Sequence, residues 1–222
     1  MNPSAWSLFR SSLWPIVRGA ITGTIPLALV SFAIGLALAL VLALMRLSKR
    51  GWVSGIARAY ISVVRGTPLL VQLFVIFYGL PSIGILINPW PSAVVAFSLN
   101  VGGYAAEVIR AAIRSVPQGQ WEAAYMIGMS HPRTLTRIIL PQAARVSVPP
   151  LSNTFISLVK DTSLASLILV TELFRQAQQV AAFSQEFMLL YLEAALVYWV
   201  ICLALATAQG TLEKRLDRYV AH

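Results

Sequence analysis

Residues 19–45 read GAITGTIPLALVSFAIGLALALVLALM, 27 positions without a charge between Arg18 and Arg46. At 1.5 Å rise per residue a helix of that length spans about 40 Å, enough to cross a bilayer with some tilt. The rest of the chain agrees with this stretch. Of 222 residues 58% are apolar and only 11% are charged, and the mean hydropathy is +0.74. Soluble domains carry about 25% charged residues, and disordered chains are polar and charge-rich. The composition excludes both and leaves an all-α polytopic membrane protein.

Working outward, residues 66–106 form a second charge-free stretch, 41 long, interrupted by Pro81, Gly84, Asn88, Pro89 and Pro91. Two spans fit it, at about 58–80 and 91–114. Residues 115–145 carry Arg133, Arg137 and Arg145, and their His131-Pro132 pair suits a turn, so this segment stays outside the bilayer. Pro149-Pro150 is placed to open a fourth helix, over about 151–172. A last apolar run covers about 187–209. The reading is five transmembrane helices in a single domain, 1–222.

The cations orient the spans. Thirteen fall on one side: Arg46, Lys49, Arg50, Arg58, Arg65, Arg110, Arg114, Arg133, Arg137, Arg145, Lys214, Arg215 and Arg218. Arg10, Arg18 and Arg175 fall on the other, and Lys160 lies within a span. Cytoplasmic loops collect Lys and Arg, so the N-terminus is expected outside and the C-terminus in the cytoplasm, with Trp14 and Trp90 at the outer interface. The net charge of +9 thus reports topology and not nucleic acid. No cleavable signal-peptide pattern opens the chain, so the first span is expected to direct insertion. The single cysteine, Cys202, offers no disulfide framework.

Between the third and fourth spans the sequence runs Glu122-Ala123-Ala124-Tyr125-Met126-Ile127-Gly128, then nine residues to Ile138, then Leu140-Pro141. In pattern form this is EAA-x3-G-x9-I-x-LP. Residues 118–126 read as a short helix stopped by Gly128. Residues 133–140 read as a second one ending near Pro141. An exposed acid beside small alanines suits docking into a partner's cleft. No G-x-x-x-x-G-K-[ST] phosphate loop occurs in the chain.

The chain resembles the membrane permease subunits of bacterial ABC importers, whose EAA signature it matches at each defining position. It is similar in particular to the polar amino acid subfamily, the histidine, glutamine, glutamate, arginine and opine permeases. The further likenesses are Arg65-Gly66-Thr67-Pro68-Leu69-Leu70-Val71-Gln72, Asn100 through Tyr104 to Glu107 and Arg110, Val116-Pro117-Gln118-Gly119-Gln120, and Lys160-Asp161-Thr162-Ser163-Leu164. The resemblance covers roughly residues 15–215. It implies the type I ABC importer permease fold, N-out and C-in, with a cytoplasmic coupling helix in the EAA loop. Glu122, Ala123, Ala124 and Gly128 would meet the ATPase there. The implied partners are a cytoplasmic ATPase dimer that binds ATP and Mg, a second permease copy or a sibling, and a periplasmic or extracellular solute-binding protein. Membrane lipid and a polar amino acid complete the set, in a bacterial cytoplasmic (inner) membrane. The chain itself would hold no cofactor, metal or catalytic residue.

Ionisable and polar groups inside spans default to functional hypotheses. Asn100, Tyr104 and Glu107 share a face of the third helix at i, i+4 and i+7, and Thr154, Ser157 and Asp161 share one on the fourth. With Gln72 they could form a chamber for a zwitterion, and the Lys160–Leu164 segment adds Ser163 to the substrate-contact candidates. Lys160 points about 100° from Asp161, so these neighbours are not expected to pair. Structural readings stand beside these. Glu107 and Arg110 could be a snorkelling ion pair, and Asn100 and Gln72 interhelical glue. Asp161 could sit at a bend or dimer seam. Arg65 reads as a headgroup or gate residue. The rival classes are a membrane-embedded enzyme and a channel subunit. The sequence has neither an HExxH or GxSxG motif nor a selectivity loop to support them.

Overall fold

The structure, a computed structural model, describes residues 5–217. Arg218 lies outside them. Among the described residues there is no strand, and ten α-helices follow in order: α1 (Ala5–Gly19), α2 (Ile25–Leu47), α3 (Gly51–Gly66), α4 (Leu69–Phe74), α5 (Pro89–Ser115), α6 (Gln118–Met126), α7 (His131–Thr134), α8 (Leu140–Asp161), α9 (Leu173–Ser184) and α10 (Phe187–Asp217). Three helices are long and apolar enough to cross a membrane: Trp6–Leu47, Pro89–Ser115 and Phe187–Arg215. Two more units reach that standard only as bent pairs, Gly51–Gly66 with Leu69–Ile83 and His131–Ile168 with Leu173–Ser184. Counting each bent pair as one span gives five.

α5 lies closest to the reading of the sequence. Asn88 is extended, and Pro89 and Pro91 occupy the first turn, where a missing N–H is harmless. The helix is central: Phe97, Val101, Ala105 and Ala106 are buried in one cluster with Leu27 and Leu42 of α2, Ile61 of α3, Leu73 of α4 and Leu158 of α8.

The first helix departs from the expected start at residue 19. α1, a π turn at Ala20–Thr24 and α2 make one 42-residue rod from Trp6 to Leu47. Its early turns carry Arg10, Ser12 and Arg18 and do not read as apolar. Long-range packing holds them instead: Leu8, Ile16 and Ala20 bury against Leu173 and Ala177 of α9 and Leu190 and Ala194 of α10. Two buried acids tie this assembly. Ser12 Oγ donates to Glu193 Oε2 at 2.6 Å. Glu172 is fully buried and caps α9, accepting from Phe174 N at 2.9 Å and Arg175 N at 2.6 Å. It also accepts from Tyr198 Oη at 2.9 Å and Thr24 Oγ1 at 3.3 Å. A Cβ at Gly23 would stand 2.4 Å from Thr171 O, so only glycine permits this approach.

The expected second span, 58–80, is not one straight helix. α3 ends at Gly66, Thr67 and Pro68 are extended, and the chain from Leu69 to Ile83 leaves at 105° to α3. Proline drives its predecessor out of the helical region, as it does Thr67. The expected fourth span is also redrawn. α7, a π turn at Leu135–Ile139 and α8 run as one helical stretch, which neither ends at Pro141 nor begins at Pro149-Pro150. Pro141 falls in the first turn of α8, and the later pair lies inside it. Burial of Ile139, Ala143, Ser147, Leu158 and Val159 outweighs the local preference. At its far end the helix stops at Asp161, not near 172, and passes through a 3-10 segment, Thr162–Ile168, to a left-handed Leu169 (φ 66°). α10 extends past the expected 209 to Asp217.

Candidate functional site

A cleft of about 410 Å³ lies between α5 and α8, under the break that joins α3 to α4. α5 contributes Asn100 and Tyr104, and α8 contributes Thr154, Ser157 and Asp161. Thr67, Pro68 and Leu69 cover one side. The helical spacing on each partner thus brings two predicted faces together. No hydrogen bond or ion pair engages the Asp161 carboxylate among the described residues. Lys160 makes no ion pair with it and lines a different cavity. The Arg65 guanidinium lies 5.5 Å from the Tyr104 ring centroid, a cation–π contact that ties the last turn of α3 to the cleft wall.

Gln72 stands behind the cleft and holds its edge. Its Nε2 donates to Val64 O at 2.8 Å, Thr67 O at 3.1 Å and Thr67 Oγ1 at 2.9 Å. Its Oε1 accepts from Asn100 Nδ2 at 3.0 Å. One amide therefore takes up carbonyls released where α3 breaks and fixes the rotation of Asn100. Tyr60 Oη, donating to Leu99 O at 2.8 Å, adds a second tie from α3 to α5.

Two candidates lie elsewhere. Glu107 is held by Arg110, with Nη2 and Nε donating to its Oε2 at 2.6 and 3.0 Å, and by Arg46 Nε at 3.5 Å from Oε1. A carboxylate within reach of two guanidinium groups goes to them, so the face it shares with Asn100 does not bring it to the cleft. Ser163 lines the second cavity with Lys160, Tyr198 and Cys202, and its hydroxyl donates to Lys160 O at 2.8 Å. Two residues beyond Asp161 is the far side of a helix.

The EAA loop is built as two short helices. α6 ends in a Schellman motif: Gly128 N donates to Tyr125 O and Met129 N to Ala124 O, both at 3.0 Å, with Gly128 at φ +78°. Glu122, Ala123 and Gly128 are exposed, whereas Ala124 turns inward and is buried. His131 does more than turn the chain. Its ring stacks on Trp121 at 5.1 Å, and Tyr125 Oη lies 2.8 Å from Nδ1, which joins α6 to α7. Met126 and Ile127, 87% and 76% exposed, crown the loop with apolar surface that the sequence reading passed over. Glu172 and Glu193 were missed as well. Each is an isolated acid in apolar sequence, and that is the signal a search for buried carboxylates uses.

Bent helices around a polar cleft, with an exposed helical loop at one end, are the parts of a membrane transport subunit. The chain belongs to the family of binding-protein-dependent transport system inner membrane components, which matches residues 34–218. It is 58% identical over 217 residues to the L-cystine transport system permease protein TcyB of Bacillus subtilis, covering 97% of this chain and 93% of that one. The probable amino-acid ABC transporter permease protein YckA of the same organism is 41% identical, covering 99% and 100%. The crystal structure of an amino acid ABC transporter with histidines superposes with a TM-score of 0.89 at 34% identity, covering 97% of this chain and 100% of that one.

Proposed function

We propose that this permease subunit carries a polar amino acid inward by alternating access, and that L-cystine is its substrate. The observation that carries the reading is the cleft between α5 and α8. It sets an unpaired carboxylate, Asp161, across from the Asn100 amide, with the Thr154 and Ser157 hydroxyls on the same wall as the acid. A zwitterion needs such a pair of ends: an anion for its ammonium, and amide or hydroxyl donors for its carboxylate. The likeness to TcyB supports the choice of L-cystine.

In this reading Gln72 acts through Asn100, Tyr104 meets substrate directly, and Glu107 and Ser163 stay structural. Five spans leave the N-terminus outside and the α6–α7 loop in the cytoplasm of a bacterial cell, as the thirteen-to-three division of cations favours. Glu122, Ala123 and Gly128 meet a separate ATPase, which binds ATP and Mg. A soluble binding protein delivers substrate at the outer face, and a second permease chain completes the pathway. ATPase closure draws the two loops together and rocks the bent helices.

The test is uptake of labelled L-cystine by proteoliposomes that hold the permease, its ATPase and its binding protein. Asp161→Asn is expected to lower uptake at least tenfold at unchanged membrane level. Wild-type uptake by that variant removes the acid from the site. Saturable uptake of another polar amino acid, with none of L-cystine, reassigns the substrate.

A further inference from the structure

Where α2 and α5 end, a cavity of about 1110 Å³ opens that shares no residue with the polar cleft. Its walls are of two kinds. Leu44, Leu47, Ile113, Val116 and Leu135 make much of the lining apolar, and Lys49 and Arg114 bring two cations to it. Both cations are exposed, and neither joins an ion pair among the described residues. Among the described residues no acid lines the cavity. Lys49 follows the last residue of α2 by two positions, just beyond the charge-free stretch that ends at Met45. The cations therefore stand at the ends of α2 and α5, beside the apolar Leu44, Leu47 and Ile113.

A soluble anion would answer the cations and leave the leucines bare. A neutral lipid would do the reverse. We propose that the cavity holds an anionic phospholipid, its phosphate between Lys49 and Arg114 and an acyl chain along Leu44, Leu47 and Ile113. Basic pockets between helices at the membrane surface favour such headgroups. The site reaches the coupling loop, because Trp121, Tyr125 and His131 line the same cavity and are the residues that join α6 to α7. Bound lipid braces the base of α6.

The experiment is native mass spectrometry of the assembled transporter after incubation with phosphatidylglycerol or phosphatidylcholine. Phosphatidylglycerol is expected to be retained preferentially, and Lys49→Gln with Arg114→Gln to lower its retention on the order of tenfold. Lys49→Arg with Arg114→Lys should preserve it. So should Arg58→Gln with Arg137→Gln, which removes two charges that do not line the cavity. Equal loss in both neutralised pairs would reduce the effect to surface charge and overturn the site. Full displacement by glycerol phosphate at matched concentration would make it a soluble-phosphate site. Photoactivatable phosphatidylglycerol that labels the permease alone but not the assembled complex would give the cavity to the ATPase.

Discussion

Two proline-bearing stretches of this chain end differently. At Thr67-Pro68 the chain turns by 105°. At Pro149-Pro150 the helix continues, with both prolines inside α8. The missing N–H is the same in each. What differs is which side chain donates to the nearby backbone and what else it holds. At the first site Gln72 reaches back with one amide to Val64 O and Thr67 O and holds Asn100 with the other end of the group. At the second, Thr154 Oγ1 donates to Pro150 O at 2.9 Å from within the same helix, and Gln209 of α10 donates to Pro149 O at 3.4 Å and to Asn153 Oδ1 at 3.2 Å, which ties the continuing helix to its neighbour. A proline weakens a helix; a second group decides whether the weakness becomes a corner.

The largest effect is expected from removing that group. Gln72→Leu strips two backbone carbonyls of their donor and frees Asn100, a loss of about 2 kcal/mol. Uptake per inserted protein should fall tenfold or more. Uptake at the wild-type rate would mean that Pro68 holds the corner alone. A somewhat smaller loss is expected at Gly128, where the chain leaves a helix by backbone conformation with no side chain to hold it. Nothing lies within 4 Å of a Cβ built there, so Gly128→Val meets only the strain of φ +78°, about 1–3 kcal/mol. ATP hydrolysis stimulated by substrate should drop several-fold, and less in Gly128→Asn, because asparagine tolerates this region. Equal losses in the two variants would trace the effect to bulk.

Pro68→Ala comes next, with a decline of a few fold, because Gln72 still grips Val64 and Thr67. Combined with Gln72→Leu it should straighten the segment. Spin labels at Val63→Cys and Val75→Cys, in a Cys202→Ser background, would then move apart toward about 18 Å, the rise of twelve helical residues. An unchanged distance in the double variant would place the corner in the surrounding helices. The smallest effect is expected from Pro149→Ala with Pro150→Ala. Tm should rise, since an interior proline costs about 3 kcal/mol, and uptake should stay within about twofold. A tenfold uptake loss would show that α8 needs its prolines in order to bend during transport.

The prolines themselves were legible in the sequence, but their consequences were not. Reading the corner required knowing that an amide one turn past Pro68 folds back on the preceding helix. α5 was legible because its signals are local: a charge-free run with prolines at its start. Asn100 and Asp161 were legible as polar groups in apolar spans. Glu107 was legible as one of two readings, since its partner Arg110 lies three residues on, but Arg46, which adds to the hold, lies 61 residues away in sequence. The early turns of α1 were hidden for the same reason, since residues near the other end of the chain make them helical.

That last feature sets a schedule for biosynthesis. Thr24 leaves the ribosome early, Glu172 follows 148 residues later, and Tyr198 another 26 after that. At about 5–20 residues per second, roughly 10–35 seconds separate the first of these partners from the last. Until Glu172 is made, the N-terminal helix has no carboxylate to receive its threonine. Once Glu172 is made, it waits in turn for the tyrosine. The three segments thus close around one acid only once residue 198 is made, and a nascent chain released before it carries that carboxylate without the tyrosine.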